Sequence, residues 1–291
     1  MPEVKEYPAV WLQGGSCSGC VVSLLNATSP TIRELLLDPV VPGRHVSLLF
    51  QPTIMAGSGE RALQILAGKE VGEGFLLIVE GTIPTADPVA YCSVGEAAGH
   101  EMGMLDQTCE LAKKALAVVC VGTCSSFGGI PAAAPNPTKA RNVDEVLRER
   151  GIKTPVVHVP GCPPHPDWFI GTVVSVLLNG LPKPGELDDA GRPLEFYGKT
   201  IHESCPRRPD FDAGKFAKKI GDGGCLYLMG CKGPVTYADC PTRMWNSAVN
   251  WCVGANGPCT GCVEPSYPDV LSPMYEKINE QRLARLVCTT K

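Results

Sequence analysis

The chain has 291 residues, enough for one large domain or for two smaller domains that each bury a core. Hydrophobic residues make up 44% of the sequence and charged residues 19%, which excludes an intrinsically disordered chain. The formal net charge is −4 and there is no basic run, so we expect no nucleic-acid partner. No apolar stretch reaches the about 18 to 20 residues that a membrane helix needs, so we expect no transmembrane segment.

Short apolar runs alternate with helical patterns through the first 180 residues. We predict buried strands at residues 9–12, 46–50, 75–79, 117–121 and 156–159. Helices are predicted at residues 30–37, 59–67, 94–116, 143–150 and 167–178. This alternation predicts an α/β domain in which helices cover a parallel sheet.

The pattern changes after residue 179, where Gly, Pro and Cys dominate and only one short helix, over residues 214–220, is predicted. We therefore place a domain boundary near residue 180, with an α/β domain over 1–180 and an irregular domain over 181–291. A segment with so little regular structure has a small core of its own, so we expect metal centres to stabilise it.

The 15 cysteines favour metal ligation over a disulfide framework, because their number is odd and many adjoin Gly or Pro. Four of them directly follow predicted strands, where open α/β sheets place their ligands: Cys17, Cys20, Cys124 and Cys162. Four thiolates at one sheet edge suit either a zinc ion or an iron–sulfur cluster. We expect the neighbouring serines to form hydrogen bonds with the sulfurs of this centre, and they are Ser16, Ser18, Ser125 and Ser126.

Eight further potential ligands lie within residues 202–262, and in chain order they divide into two groups of four. They are His202, Cys205, Cys225, Cys231, Cys240, Cys252, Cys259 and Cys262. The neutral histidine leaves its cluster with one negative charge less than all-Cys ligation, which raises the redox potential. The remaining cysteines are expected to be core thiols or incidental: Cys92, Cys109, Cys120 and Cys288.

The cysteine motifs and their flanking residues are similar to those of the small subunits of nickel-iron hydrogenases, most of all those of the nickel-iron-selenium branch. The similarity extends over nearly the whole chain. It is carried by Trp11-Leu12-Gln13-Gly14 with Cys17 and Cys20, Val79-Glu80-Gly81, Gly122-Thr123-Cys124, Pro160-Gly161-Cys162-Pro163-Pro164, His202 with Cys205, Gly230-Cys231-Lys232-Gly233-Pro234, and Cys259 to Cys262 with Glu264-Pro265.

The resemblance implies a flavodoxin-like first domain and three four-iron four-sulfur clusters. The proximal cluster would be held by the first four cysteines, the distal cluster by His202, Cys205, Cys225 and Cys231, and the medial cluster by Cys240, Cys252, Cys259 and Cys262. Many relatives have proline in place of Cys252, which leaves three irons in the medial cluster. Oxygen-tolerant relatives have cysteines in place of Gly19 and Gly129, so the proximal cluster here is expected to be of the ordinary type.

The resemblance also implies an electron-transfer protein whose partner, a large subunit, holds the nickel-iron site. An external redox carrier such as a cytochrome or ferredoxin would exchange electrons with it. The chain is expected to be periplasmic if a twin-arginine leader has been removed, and cytoplasmic if it is native as printed. The alternative is a zinc-stabilised, non-catalytic interaction protein. A complex-I-like subunit would share the first domain but would have no reason to carry the eight ligands of residues 202–262, and this segment decides against it.

Overall fold

The computed structural model describes residues 5–38, 42–67 and 71–277. The chain divides into two compact units, Met1–Leu194 and Glu195–Lys291. The division lies after the boundary that we predicted near residue 180. Residues up to Leu194 belong to the first unit, where the backbone N–H of His158 donates to the carbonyl of Gly191 at 2.9 Å.

A five-stranded parallel sheet forms the centre of the first unit. Its strands are β1 (Lys5–Gln13), β2 (Arg44–Phe50), β3 (Leu76–Glu80), β6 (Ala117–Val121) and β7 (Val156–Val159), and they lie in the order β2-β1-β3-β6-β7. Every residue of β3 and β6 is buried, as uninterrupted apolar runs predict. This is the flavodoxin-like strand order, so the predicted fold class is confirmed.

Helices connect and cover these strands. They are α1 (Gly19–Leu24), α2 (Ile32–Leu37), α3 (Gly59–Ala67), α4 (Pro88–Tyr91), α5 (Met104–Ala112), α6 (Thr123–Phe127), α7 (Gly129–Ala132), α8 (Val143–Glu149) and α9 (Pro166–Asn179). Asn142 caps α8, since its side chain accepts from the Glu145 N–H at 2.8 Å.

The helix predicted over residues 94–116 is wrong in its first half. Residues 93–103 form an antiparallel hairpin of β4 (Ser93–Ala97) and β5 (His100–Gly103), and α5 begins only at Met104. Ala98 and Gly99 connect the two strands with φ of 52° and 76°. A type I′ hairpin turn requires positive φ at both positions. The chain forms this turn here in place of the helix that the sequence pattern indicated.

The second unit is built from short helices separated by turns. They are α10 (Leu194–Tyr197), which begins at the boundary, α11 (Arg208–Asp212), α12 (Cys240–Arg243), and the 3₁₀ helices Tyr227–Met229 and Gly233–Val235. The helix predicted over 214–220 is wrong. Phe216 instead pairs with Cys225 in a parallel bridge, so this segment holds a predicted ligand in place.

Within the described residues, no helix is both long enough and apolar enough to cross a membrane.

Candidate metal centres

Hydrogen bonds between loops hold the first predicted thiol set at the carboxyl edge of the sheet. The backbone N–H of Thr123 donates to the Gly161 carbonyl at 3.0 Å, and the Gly161 N–H donates back to Thr123 Oγ1 at 2.9 Å. These two bonds join the loop that carries Cys124 to the loop that carries Cys162. Two neighbouring parallel strands therefore deliver one thiol each to the same place.

Gly122 allows the loop that carries Cys124 to approach the loop that carries Cys20. Its φ is +92°, and a Cβ atom built on it would lie 2.4 Å from Cys20 Sγ. Any other residue at this position would be strained and would displace the thiol. The sequence has glycine here because the backbone and a ligand sulfur occupy the space of a side chain.

The four thiols of the first set are mutually close. Burial raises the pKa of the Cys20 thiol most, and the charges of Glu80 and of the three other cysteines raise it further. Burial, together with Cys162 and Cys17, raises the pKa of Cys124 to about 12. Such thiols lose their protons only when a cation compensates the charge, so the set fits a cationic metal centre.

Glu80 is fully buried beside this set at the end of β3. Its carboxylate accepts hydrogen bonds from the Trp11 indole at 3.2 Å, the Gln13 amide at 3.0 Å and the backbone N–H of Cys20 at 3.2 Å. Three donors satisfy a buried charge that would otherwise be unfavourable. Glu80 therefore ties β1 to β3 and fixes the backbone of a predicted ligand.

The expectation for the serines beside the first set is wrong for Ser125 and Ser126. Ser125 Oγ donates to the carbonyls of Val121 and Gly122 at 2.9 and 3.1 Å, and Ser126 Oγ donates to that of Cys120 at 3.4 Å. Both hydroxyls satisfy carbonyls at the end of β6, because buried polar groups in a tight strand-to-helix turn bond to the nearest backbone.

The predicted distal ligands line one recess in the second unit. His202, Cys205, Cys225 and Cys231 all face it, together with apolar residues that include Leu226 and Val253. Burial raises the pKa of Cys225 to about 11, and the charges of Cys231 and Cys205 add to this effect. The structure thus brings together the four residues that were grouped from chain order.

Backbone N–H groups point at the sulfurs of this region. Each of four predicted ligands accepts a hydrogen bond from the N–H two residues later, and the pairs are Cys205 with Arg207, Cys225 with Tyr227, Cys231 with Gly233, and Cys259 with Gly261. These donors favour the negatively charged sulfur. Fixed N–H dipoles around thiolates are a known determinant of iron–sulfur potentials, so the donor set fits such a cluster.

The His202 ring has an unpaired nitrogen in this recess. Its Nε2 atom is buried and has no hydrogen-bond partner, and the ring lies edge-on to Phe211 with centroids 4.6 Å apart. Burial and the charge of Arg208 lower the pKa of His202, which favours the neutral form. Metals bind neutral imidazole. A buried Nε2 atom without a hydrogen-bond partner, in a recess with three thiols, is therefore suited to bind a metal.

The predicted medial ligands also interact with one another. Burial raises the pKa of Cys240 above its usual range, and the charges of Cys262 and Cys252 raise it further, while a hydrogen bond from Trp245 opposes them. Burial and the charges of Cys231 and Cys262 raise the pKa of Cys259. These interactions place Cys240, Cys259 and Cys262 close together as a third local set, and Cys252, which is exposed, lies near Cys240 and also near the distal ligand Cys231.

The other cysteines lie outside these sets. Cys109 and Cys120 are buried in the core, as predicted, and Cys92 is half-buried. Cys288 lies outside the described residues. Across residues 5–38, 42–67 and 71–277, no three His, Cys, Asp or Glu side chains are close enough to hold a single metal ion. The thiols of each set are therefore near one another but are spaced more widely than the ligands of a single metal ion.

Sequence reasoning missed three residues that contact these sulfurs. Ile130 donates a backbone hydrogen bond to Cys124, Trp245 donates its indole N–H to Cys240, and Thr236 lies 3.8 Å from Cys259 Sγ. None stands at a fixed spacing from a cysteine motif. Only the folded turns bring them to the sulfurs, so no local signal in the sequence identifies them.

Comparison with known proteins identifies the family. Residues 197–275 match the family that describes the C-terminal part of the NiFe/NiFeSe hydrogenase small subunit. The periplasmic [NiFeSe] hydrogenase small subunit of Desulfomicrobium baculatum is 49% identical over 282 residues, covering 93% of this chain and 87% of the relative. This chain belongs to the NiFe/NiFeSe hydrogenase small subunits. The family's members are parts of heterodimeric oxidoreductases that carry iron–sulfur clusters and transfer electrons.

Further matches agree with this assignment. The periplasmic [NiFe] hydrogenase small subunit of Solidesulfovibrio fructosivorans is 44% identical, covering 94% of this chain and 83% of the relative. A crystal structure of the reduced, active Ni-Fe-Se hydrogenase from Desulfomicrobium baculatum superposes with a TM-score of 0.87 at 49% identity, covering 94% of this chain and 100% of that chain.

The complex-I-like alternative is also explained by the comparisons. Residues 17–176 match the family described as NADH ubiquinone oxidoreductase, 20 Kd subunit. This match covers the flavodoxin-like unit from the loop after β1 into α9 and stops before the eight-ligand segment. The match over residues 197–275 decides for the hydrogenase family, as the tail predicted.

Proposed function

We propose that the chain passes single electrons between the hydrogen-activating site of a partner large subunit and an external redox carrier, by means of three four-iron four-sulfur clusters. The observation that supports this function is the gathering of the twelve predicted ligands into three local sets. Iron–sulfur clusters supply reversible one-electron transfer when they are bound. The chain's own residues hold each cluster and direct N–H groups at its sulfurs.

Each set is assigned to one cluster. The proximal ligands are Cys17, Cys20, Cys124 and Cys162, the distal ligands are His202, Cys205, Cys225 and Cys231, and the medial ligands are Cys240, Cys252, Cys259 and Cys262. Two sets belong to the second compact unit, where the regular elements among the described residues are three to five residues long. Ligation would supply this unit with the cross-links that its small core lacks.

Four medial ligands favour a four-iron cluster there. The interaction of Cys252 with Cys240 supports a place for Cys252 in this set. A fourth thiolate holds a fourth iron and adds negative charge, which lowers the potential of the medial cluster.

Metal analysis tests the proposal. We expect about twelve irons and about twelve acid-labile sulfides per chain, which is the content of three cubane clusters. A brown protein with broad visible absorption is expected in addition. Stoichiometric zinc without sulfide would support the zinc-stabilised alternative and overturn the proposal.

The partner is tested by purification without an affinity tag on the second chain. We expect a large subunit with its own pairs of cysteines to purify with this chain. The external carrier is identified separately, by asking whether a reduced cytochrome or ferredoxin exchanges electrons with the complete hydrogenase.

A further inference from the structure

One predicted ligand of the distal set and one of the medial set are joined by a direct hydrogen bond. The backbone N–H of Cys259 donates to Cys231 Sγ at 3.3 Å. Next to it, the N–H of Lys232 donates to the Cys259 carbonyl at 2.8 Å. This pair of hydrogen bonds, which we call the ligand junction, joins two loops that are 28 residues apart in the chain.

Thr236 lies against the ligand junction and is 1% exposed. Its hydroxyl donates to the carbonyl of Lys232 at 2.7 Å, and the same oxygen lies 3.8 Å from Cys259 Sγ. Its own carbonyl accepts from the Ile201 N–H at 2.7 Å, next to His202. One buried side chain therefore contacts both sides of the junction.

The residues on both sides lie outside regular helices and strands, apart from one three-residue 3₁₀ helix, so hydrogen bonds of this kind determine the local geometry. Hydrogen bonds to ligand sulfurs help to set the potential of an iron–sulfur cluster, and the groups that orient ligands tune the metal. A change in the position of Cys259 alters the donor to Cys231 at the same time.

We propose that Thr236 is a positioning residue that holds Cys259 against Cys231 and so links the potentials of the medial and distal clusters. The inference rests on the proposed function, since it assigns these two cysteines to different clusters. It adds a residue that is not a ligand and that acts on both centres through a single hydrogen-bonded contact.

The test replaces Thr236 with valine, which keeps the volume and removes the hydroxyl. In the complete hydrogenase we expect both potentials to fall, the distal more than the medial, because the N–H group that loses its position donates to the distal ligand Cys231. The reduced-to-oxidised ratio of the distal cluster at a fixed potential should change about tenfold, which is ~59 mV for one electron. Redox titration followed by electron paramagnetic resonance measures both clusters, and Thr236→Ser should restore both potentials.

Thr172→Val is the matched control. Thr172 is also buried, and its hydroxyl also donates to the carbonyl four residues earlier, that of Trp168, at 2.6 Å. It lies in α9, which contains no predicted ligand. We expect its replacement to leave both potentials at their wild-type values.

Thr236→Ala provides a second variant without the hydroxyl if the valine is not accommodated, and it should lower the same two potentials. Wild-type potentials in the variants that lack the hydroxyl, or an equal shift in Thr172→Val, would overturn the role of Thr236. Wild-type protein that contains zinc in place of iron and sulfide would instead overturn the proposed function, so the two failures are distinguishable.

Discussion

Single residues set the character of each candidate centre, and Cys252 does so for the medial one. Replacement of Cys252 by proline removes one thiolate from the set around Cys240. We expect a medial cluster with three irons and a higher potential, because one ligand and its negative charge are lost. Assembly with the partner should be unaffected.

Electron paramagnetic resonance of the oxidised Cys252→Pro variant should show a new three-iron signal. Cys92→Ala is the control, since Cys92 is a half-buried thiol outside the three sets, and its iron content should equal that of the wild type. A Cys252→Pro spectrum identical to that of the wild type would mean that Cys252 is not a ligand.

His158 gives the first unit a pH-dependent stability. It is 8% exposed and its Nδ1 has no hydrogen-bond partner. Burial lowers its pKa from 6.5 to about 4, with a contribution from Arg192, while Asp144 and Asp188 oppose the shift. The unfolded chain takes up a proton below pH 6.5 that the folded chain takes up only near pH 4. Stability therefore falls with falling pH across this window, by up to about 1.4 kcal/mol per pH unit.

The check is the melting temperature of His158→Leu between pH 7 and pH 5. The variant should lose less stability than the wild type over this range, because the titrating group is gone. His100→Leu replaces an exposed histidine of β5 and should follow the wild-type pH dependence. Parallel curves for all three proteins would refute the role of His158.

Ligand residues could be predicted from the sequence where the residue type and its position next to a predicted strand were sufficient. The cysteines after β1, β6 and β7 follow directly from strand ends, and the structure gathers them. The donors to their sulfurs could not be predicted, since the N–H of Ile130 and the indole of Trp245 reach sulfurs only through turns. Ser125 and Ser126 were assigned wrongly because adjacency to a ligand does not determine where a hydroxyl points.

At the scale of elements, the strand-to-helix turn at Gly122 leaves no room for a side chain beside the first site. Gly122→Ala places a methyl group 2.4 Å from the present position of Cys20 Sγ and also strains a residue with φ of +92°. We expect loss of the proximal cluster, seen as a loss of about four irons per chain.

Gly151→Ala separates strain from the clash with sulfur. Gly151 also has a positive φ, +68°, but nothing lies within 4 Å of its Cβ position. Its replacement should cost about 1 kcal/mol of stability and leave the iron content unchanged. Equal iron loss in both variants would show that backbone strain alone is responsible, and a full complement in Gly122→Ala would show that the turn adapts.

The elements of the first unit could be predicted where the sequence has a clear pattern of apolar residues. The sheet strands are uninterrupted apolar runs, and the predicted bounds of β6, β7 and α3 are those of the structure. The hairpin at residues 93–103 was missed because Ala98 adopts a positive φ that alanine seldom adopts. The segment around Phe216 was missed because its pairing with Cys225 is a tertiary contact.

At the scale of the whole molecule, the two units differ in what stabilises them. The first has a central sheet with a continuous apolar core that includes Leu77, Val118 and Leu147. The described part of the second relies on short turns, buried thiols and isolated bridges. The proposed clusters therefore differ in their role in folding. The proximal cluster would be attached to a stable sheet, whereas the other two would organise the chain around them.

The exit of electrons is expected at His202, since this residue is the neutral ligand of the distal set. Two arginines, Arg207 and Arg208, follow in the chain, and unpaired arginines beside the exit would attract an acidic carrier. Arg207 instead donates to the Gly224 carbonyl at 3.0 Å and to the Asn256 side chain, and Arg208 forms an ion pair with Asp212 at 2.9 Å. Both guanidinium groups therefore have partners inside the unit. The predicted exit depends on the His202 ring and not on these two arginines.

His202→Cys should keep the distal cluster and lower its potential, because a thiolate adds one negative charge. Turnover with an external acceptor should then slow much more than hydrogen–deuterium exchange, since exchange at the nickel-iron site of the partner needs no electron exit. His100→Cys, the same substitution on the exposed strand β5, should change neither activity. Equal loss of both activities in His202→Cys would indicate a role in folding or assembly, because a defect confined to the exit spares the exchange reaction.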